Sequence, residues 1–495
     1  MRPLMGANSN RTSANTLMTS DAAVMPTSND LTNTGNAGAT IPYPMAIRNE
    51  VPTSTQISRG IRSPACRSSP DRPTPTTSSN PTRERAPGSA DGTHHTGRRH
   101  KDRDAGVWCA TEGDTMTSTS PRIVVLGAGY TGVTTAKLLA RRTGTTVTLV
   151  NERDRFVERM RNHQLAAGRR LRHTPLQDLL TGSGVRLLVG RVTGIDPDQR
   201  RVEVAGHPEP LGYDLLVYAL GSGADLDAVP GAAEHATPIA DAERAVELTG
   251  RMRTASTVAV VGGGLTGIEA ATELAESYPD RTVQLITGDV LGPALTDRGQ
   301  AHLYRTFDRL GIGLKERAGV AKVGADGVLL DSGEHVAADV VVWTAGFKVP
   351  ELARASGLAV GDNGRMLVDS TMRSVSHPDV YGIGDAAAAH NPDGRVLRMG
   401  CGPGGLAAAC AVRAIGDRMA GRTPRRLLMG FEGYCISLGR KDGLVEYTRP
   451  DGSLLAPVLT GRAAAVFKEG VVRGAGGFGL RHPALALVSG SRALA

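Results

Sequence analysis

From Met1 to about Ser120 the chain mixes Ser, Thr, Asn, Pro, Gly and Arg with few large apolar residues, and no period of 2 or 3.6 is sustained. Such a stretch buries too little surface to offset the entropy of ordering it, so the pattern predicts a disordered tail over 1–120. No apolar leader core follows Arg2, and Met116, just ahead of the first apolar run, is a candidate natural start. At Ile123 the character changes. Ile123–Leu126 is wholly apolar and largely β-branched, the pattern of a strand buried on both faces of a parallel sheet. It runs into Gly127-Ala128-Gly129-Tyr130-Thr131-Gly132, then a helical stretch over 133–142, then a second strand, Val147–Val150, ending at Asn151 and Glu152. The same succession returns later. Val258–Val261 leads into Gly262-Gly263-Gly264-Leu265-Thr266-Gly267, a helix over about 268–276 and a strand, Val283–Ile286.

Strand, glycine turn, helix, strand is the βαβ unit that binds dinucleotides. The first glycine permits the tight turn, the second lets a pyrophosphate approach the backbone, and the third lets helix and strand pack closely. The anion then meets unpaired amides at the positive end of the helix dipole. One such motif is weak evidence, whereas two in the correct strand-to-helix context predict two dinucleotide-binding units. An acid about 20 residues on should bind a ribose hydroxyl. In the first unit Asn151 takes that place with Glu152 beside it, and either side chain could accept the bond. In the second the equivalent stretch is Thr287-Gly288-Asp289, with no acid directly after the strand, so a choice between NADH and NADPH stays open. Neighbouring Arg281 is either a solvated turn charge or a phosphate ligand.

Composition narrows the setting. The 62 glycines in 495 residues suit many tight turns, and five cysteines without framework spacing suit a reducing, cytoplasmic interior. No apolar run is long enough to cross a bilayer. The net charge of +8 divides into +3 over residues 1–120 and +5 over the rest, which favours anionic cofactors but is no nucleic-acid footprint.

Beyond the glycine motifs, three segments carry a family resemblance: Tyr213–Ser222 (YDLLVYALGS), Val342–Phe347 (VWTAGF) and Val380–Asp385 (VYGIGD). Over about 121–450 the chain resembles the pyridine nucleotide–FAD oxidoreductases, flavoproteins with two dinucleotide folds. Within them it is most similar to type II NADH dehydrogenases and the ferroptosis-suppressor, apoptosis-inducing-factor-like branch. The resemblance implies an α/β protein in which FAD lies on the first motif and NAD(P)H on the second, the nucleotide domain being inserted in the FAD domain. The insertion has its own support, since Val380–Ile383 is a buried-strand run, far beyond the second motif, that needs a sheet to join. The expected layout is a disordered tail over 1–120, FAD-binding segments over 121–240 and 339–424, a nucleotide domain over 241–338, and a small α+β flavin-covering region over 425–495.

The resemblance also nominates residues. Gly127, Ala128, Gly129, Tyr130, Thr131, Gly132, Asn151, Glu152 and Val192 would meet the adenosine diphosphate half of FAD, and Gly384 with Asp385 its ribityl chain. Gly262, Gly264 and Gly267 would hold the nicotinamide nucleotide. Glu269 matches a family glutamate after the last glycine, and would either approach the flavin edge or only favour the helix N-terminus through its charge. Cys401, in the glycine-rich run Met399–Gly405, falls where the family passes the isoalloxazine ring and the quinone pocket, so Glu269 and Cys401 are the candidate catalytic residues. That run departs from the Ala- and Gln-rich segment of typical quinone reducers. Residues 151–180 hold no cysteine, which excludes the redox dithiol of the disulfide reductases, and no metal is implied. Arg159, Arg161, His163 and Gln164 read more readily as a solvated charged face than as flavin contacts.

The activity implied is an NAD(P)H:acceptor oxidoreductase that passes a hydride to FAD and electrons on to a quinone-like acceptor. A reductase of a small iron–sulfur protein, or a flavin- and nucleotide-binding sensor with little turnover, are the competing readings. A helix over 462–473, with Val466, Phe467, Val471 and Val472 as apolar anchors and Arg462, Lys468 and Arg473 as basic ones, is either a packed terminal helix or a peripheral contact with the cytoplasmic membrane face. Sequence leaves the oligomeric state open.

Overall fold

A computed structural model describes residues 120–427, 432–449 and 451–484. The expected tail over 1–120, apart from its last residue, and Met116 with it, lies outside the described residues.

Two five-stranded parallel sheets organise the chain. The first runs in the order Val380–Gly382, Leu215–Tyr218, Ile123–Leu126, Val147–Asn151, Val185–Val189. The second runs Gly313–Lys315, Thr282–Ile286, Thr257–Val261, Val340–Trp343, Ala236–Pro238. In each, the central strand precedes the glycine turn and is wholly or almost wholly buried, as an apolar strand covered on both faces must be. Val380–Gly382 joins the first sheet from beyond the whole second one, so one unit is inserted in the other. The second sheet claims more chain than the 241–338 span, because its edge strand Ala236–Pro238 and its inner strand Val340–Trp343 flank that span. Each lies beside a linker, and the linkers pair antiparallel where Phe347–Lys348 meets Gly223–Ala224.

The helices begin at the turns themselves, Tyr130–Thr143 and Leu265–Ser277, a few residues ahead of the expected starts. Beyond the second crossover, helix Cys401–Met419 packs on the first helix, and strands Glu432–Ser437, Gly443–Thr448 and Leu454–Thr460 form an antiparallel sheet. Ile436, Leu438 and Leu444 from this sheet enter the hydrophobic core of the second unit. Two buried acids fasten it there. Glu446 accepts Thr296 N at 3.0 Å and Thr296 Oγ1 at 2.5 Å, and Asp442 stands 2.9 Å from His302 Nε2 and 2.8 Å from Arg309 Nη2. Helix Gly461–Arg473 follows, and the chain then returns to the first core through Leu480, whose carbonyl accepts Lys137 Nζ at 2.8 Å.

Candidate active site

Each glycine turn meets three demands with three different glycines. Gly127 (φ +98°) and Gly262 (φ +117°) take backbone that side chains rarely adopt, and a Cβ there would stand 2.5 Å from Ala219 O or 2.7 Å from Ala345 N. A Cβ on Gly132 or Gly267 would lie 1.8 Å from the carbonyl oxygen of Gly127 or Gly262, so the helix presses on its turn only where no side chain exists. The middle glycines differ. At Gly129 and Gly264 φ is −74° and −70°, which suits any residue, and a Cβ would meet nothing within 4 Å among the described residues. Neither backbone nor packing demands glycine there. What the two positions leave is open space at helix N-termini that carry no side-chain cap, the room and the donors a diphosphate needs.

Around the first turn, Asn151 Oδ1 accepts Ala128 N at 2.8 Å and its Nδ2 donates to Arg153 O at 2.8 Å. One acceptor and one donor of its amide thus brace the loop. Glu152 is the exposed member of the pair, bonded to Arg153 and 3.7 Å from Arg191. Val192 is half-buried and opens a small antiparallel sheet. Tyr130 packs edge-on against Phe156 with ring centres 4.9 Å apart. In the second unit the glycine turn adjoins the C-terminal end of strand Thr282–Ile286, where Gly262 N donates to Ile286 O at 2.8 Å. Arg281 precedes the opposite end of that strand and donates to Arg253 O at 3.4 Å, so it is a turn charge and no phosphate ligand.

Asp385 closes the first crevice. Its Oδ2 accepts Ser222 Oγ at 2.8 Å, and its Oδ1 accepts Gly400 N at 2.8 Å just before helix Cys401–Met419. A Cβ on Gly384 (φ +69°) would come within 3.1 Å of Thr131 Oγ1, which puts this segment against the start of the first glycine helix. Buried Arg365 fixes it from behind, donating to the carbonyls of Asp385 and Leu397 at 3.0 Å each and to that of Ala387. Cys401 is the exposed first residue of its helix. Burial pushes the thiols of Cys410 and Cys435 up to about 11, which keeps both protonated at neutral pH.

Glu269 is neither solvated nor a simple helix-end charge. Its side chain is only 12% exposed, and its Oε1 accepts Ser437 N at 2.9 Å and Lys468 Nζ at 2.8 Å. Burial alone would raise its pKa, but the ammonium of Lys468, with lesser help from His163 and the Ser437 amide, holds the carboxyl below its usual range. Lys468 is likewise opposed by burial, yet Glu269 keeps it above the ordinary lysine value, and its Nζ also donates to Cys435 O at 2.7 Å. His163 Nδ1 lies 3.7 Å from Glu269 Oε2, and Nε2 is buried without a hydrogen-bond partner among the described residues. Burial pushes this imidazole down to about 4, so it is neutral at pH 7 and Lys468 is the cation that pairs with Glu269. Asn162, His163 and Gln164 are all buried, which overturns the solvated-face reading for His163 and Gln164: the short helix Asn162–Ala166 packs against the second glycine helix. Arg161, next to them, binds Glu469 through two bonds of 2.8 and 3.0 Å and Glu158 at 3.0 Å. Consecutive residues of the terminal helix therefore reach different units, Lys468 the nucleotide helix and Glu469 the segment after Asn151.

A family model described as pyridine nucleotide-disulphide oxidoreductase matches residues 76–177 and 169–399. The chain belongs to that family. An NADH dehydrogenase-like protein of Mycobacterium tuberculosis is 32% identical over 323 residues, covering 59% of this chain and 80% of the relative. A demethylphylloquinone reductase of Synechocystis is 26% identical over 312 residues, 57% of this chain and 76% of that one. In fold, the chain is similar to NDH2 of Plasmodium falciparum, solved with NADH, at a TM-score of 0.64 and 14% identity, covering 73% of this chain and 96% of that one. Among the described residues the disulphide of the family's description has no counterpart: no cysteine lies in 151–180, and Cys401, Cys410 and Cys435 are free.

Sequence reasoning took Lys468 as a basic anchor of the terminal helix and missed its pairing with Glu269, and it missed the parts played by Ser222 and Arg365 around Asp385. A signal for Lys468 does exist, because Ala464, Lys468 and Val472 recur every four residues and so share one helix face, whose two apolar members are buried. Ser222 and Arg365 carry no such mark.

Proposed function

We propose that this protein is an FAD-dependent NAD(P)H oxidoreductase that delivers electrons to a quinone-like acceptor. The pair of glycine turns carries the reading, because the open space over Gly129 and Gly264 is unexplained by the protein's own packing and fits two diphosphates. Gly127–Gly132 and Asp385 would hold FAD, and Gly262–Gly267 the nicotinamide nucleotide. We assign residues 121–235 and 344–424, which carry the first sheet, to the FAD-binding unit, the span between them, which carries the second sheet with its strands Ala236–Pro238 and Val340–Trp343, to the nucleotide unit, and 425–495 to the flavin-covering region. The chemistry the cofactors supply is hydride transfer from reduced nicotinamide to flavin, for which the protein provides position and electrostatics. Asp385, clamped by Ser222, Gly400 and, through its backbone, Arg365, offers a fixed carboxylate to ribityl hydroxyls. Glu269 and Lys468 hold a neutralised charge pair where the second glycine helix meets the terminal helix. Names of relatives support the acceptor, demethylphylloquinone reductase among them. Anaerobic mixing of flavin-loaded protein with NADH or NADPH tests the reading: loss of the oxidised-flavin absorbance followed by reoxidation with a menaquinone analogue supports it, and flavin that stays oxidised with both nucleotides refutes it.

Peripheral membrane contact belongs to the same proposal. No helix among the described residues is long and apolar enough to cross a bilayer. The terminal helix and the turn after it nonetheless leave Val466 74%, Phe467 42% and Phe478 56% exposed. Beside them Arg440, Lys441, Arg462 and Arg473 line a groove of about 450 Å³. Apolar side chains flanked by cations suit an anionic lipid surface. Co-sedimentation with phosphatidylglycerol vesicles, lost on Phe467→Ser with Phe478→Ser, is the expected result, and equal binding to phosphatidylcholine would count against it.

A further inference from the structure

Dinucleotide folds choose between NADH and NADPH at the end of the strand after the glycine helix, where a carboxylate accepts from ribose hydroxyls and repels a 2′-phosphate. Here that strand ends at Ile286, and Thr287, Gly288 and Asp289 follow. Thr287 is buried against the glycine turn, its Oγ1 only 2.2 Å from where a Cβ on Gly263 would stand. Gly288 is exposed, and a Cβ there would meet nothing within 4 Å. The nearest acid, Asp289, engages the amide of Val290 through Oδ1 at 2.7 Å. The position is open and carries no carboxylate of its own.

The neighbouring strand, Gly313–Lys315, brings cations alongside. Thr287 N donates to Lys315 O at 2.8 Å, Ala318 N to Thr287 O at 2.9 Å, and Arg317 N to Asp289 O at 3.4 Å. Lys315 is paired with Glu334 at 2.6 Å, and Glu316 accepts from Leu291 N and Tyr304 Oη at 2.5 Å each. Arg317 alone of this run is exposed, and among the described residues its guanidinium has no hydrogen-bond or ion-pair partner. Its φ is +50°, a backbone only two other non-glycine residues among those described adopt. Glycine would sit there more easily, so the backbone gives no reason for an arginine.

We propose that the second glycine unit is built for a 2′-phosphorylated nicotinamide nucleotide, NADPH in preference to NADH, with Arg317 as the cation that meets the 2′-phosphate. The proposal rests on the assignment of the nicotinamide nucleotide to Gly262–Gly267. A guanidinium presents a planar fork to phosphate oxygens and stays charged at every accessible pH. One charge-assisted hydrogen bond gained with the phosphate corresponds to a preference of about tenfold to a hundredfold, shrinking as salt rises because the site is exposed.

Calorimetric titration of the flavin-loaded protein with 2′,5′-ADP and with 5′-AMP tests this without turnover, and anaerobic rapid mixing gives Kd for NADPH and NADH. Binding of 2′,5′-ADP and NADPH at least about tenfold tighter than their unphosphorylated counterparts is expected. In Arg317→Gly that ratio should fall close to one, while the midpoint of thermal unfolding holds or rises because glycine suits the positive φ. Equal or tighter binding of 5′-AMP and NADH, or a ratio unchanged in Arg317→Gly, would overturn the proposal. Failure of both nucleotides to bleach the flavin would refute the parent assignment instead, and the 2′,5′-ADP comparison would still decide the preference.

Discussion

Replacing Lys468 by Met keeps the length of the side chain and deletes its charge, which isolates what the ammonium does for Glu269. In the wild-type protein the carboxylate has one cation at 2.8 Å, one amide at 2.9 Å and a neutral imidazole at 3.7 Å. Without the cation, burial dominates and the carboxyl pKa should move from below its usual range to above it. Breaking a buried pair on one side costs roughly 3–5 kcal/mol, but protonation gives the carboxyl an escape. At pH 7 that escape costs about 3–4 kcal/mol, since a glutamate of ordinary pKa near 4.3 must take up a proton some 2.7 units above it. The sign follows from linkage. The folded variant keeps a proton that the unfolded chain releases above about pH 4.3, so its stability falls as pH rises and recovers as pH falls. Urea denaturation of wild type and Lys468→Met from pH 5 to 8 should therefore show a deficit of about 3–4 kcal/mol at pH 7 that shrinks to about 1 kcal/mol at pH 5. The double variant with Glu269→Gln should lose the pH dependence. A deficit that stays flat across this range, or one below about 1 kcal/mol at pH 7, would refute the reasoning.

Other expectations follow from the same geometry. Gly129→Val should yield folded protein without flavin and Gly264→Val folded, flavin-loaded protein blind to nicotinamide. Gly132→Ala and Gly267→Ala should unfold at markedly lower urea, because their Cβ would lie 1.8 Å from a carbonyl oxygen; circular dichroism and the oxidised-flavin absorbance separate the two classes. Asp385→Ala should release flavin on gel filtration, with Asp385→Asn retaining more of it. His163, neutral and buried with its pKa near 4 against an ordinary 6.5, stabilises the fold fully above about pH 6.5 and loses that contribution as pH falls towards 4, by up to about 3 kcal/mol. His163→Gln should flatten that acid limb in denaturation curves, and an unchanged limb would assign it to other groups.

The two sheets and both glycine turns were legible in sequence because their demands are local: a buried β-branched run, then glycines of which the first and third are enforced by backbone conformation and packing. Insertion of one unit in the other was legible too, from the orphan strand Val380–Gly382. What sequence could not give were side-chain partners brought together by the fold. Asn151 stands where a ribose ligand was expected, and its bond to Ala128, which braces the glycine turn, is set by loop geometry. His163 and Gln164 looked polar and therefore solvated; neighbours from other elements bury them. Glu269 was singled out by its place after the last glycine, but its cation lies some 200 residues away on a helix whose basic residues were read as anchors and not as partners of a buried acid. Arg317 gave no signal at all, because a positive φ at a non-glycine residue has no signature in the chain.

The central claim is that one polypeptide offers two separate diphosphate cradles, the first for FAD and the second for the nicotinamide that reduces it. Gly264→Val examines it most directly. Purified with its flavin and mixed anaerobically with NADPH, this variant should keep its yellow colour while wild type bleaches within the mixing experiment. Flavin missing from Gly264→Val, or bleaching at the wild-type rate, would contradict the assignment.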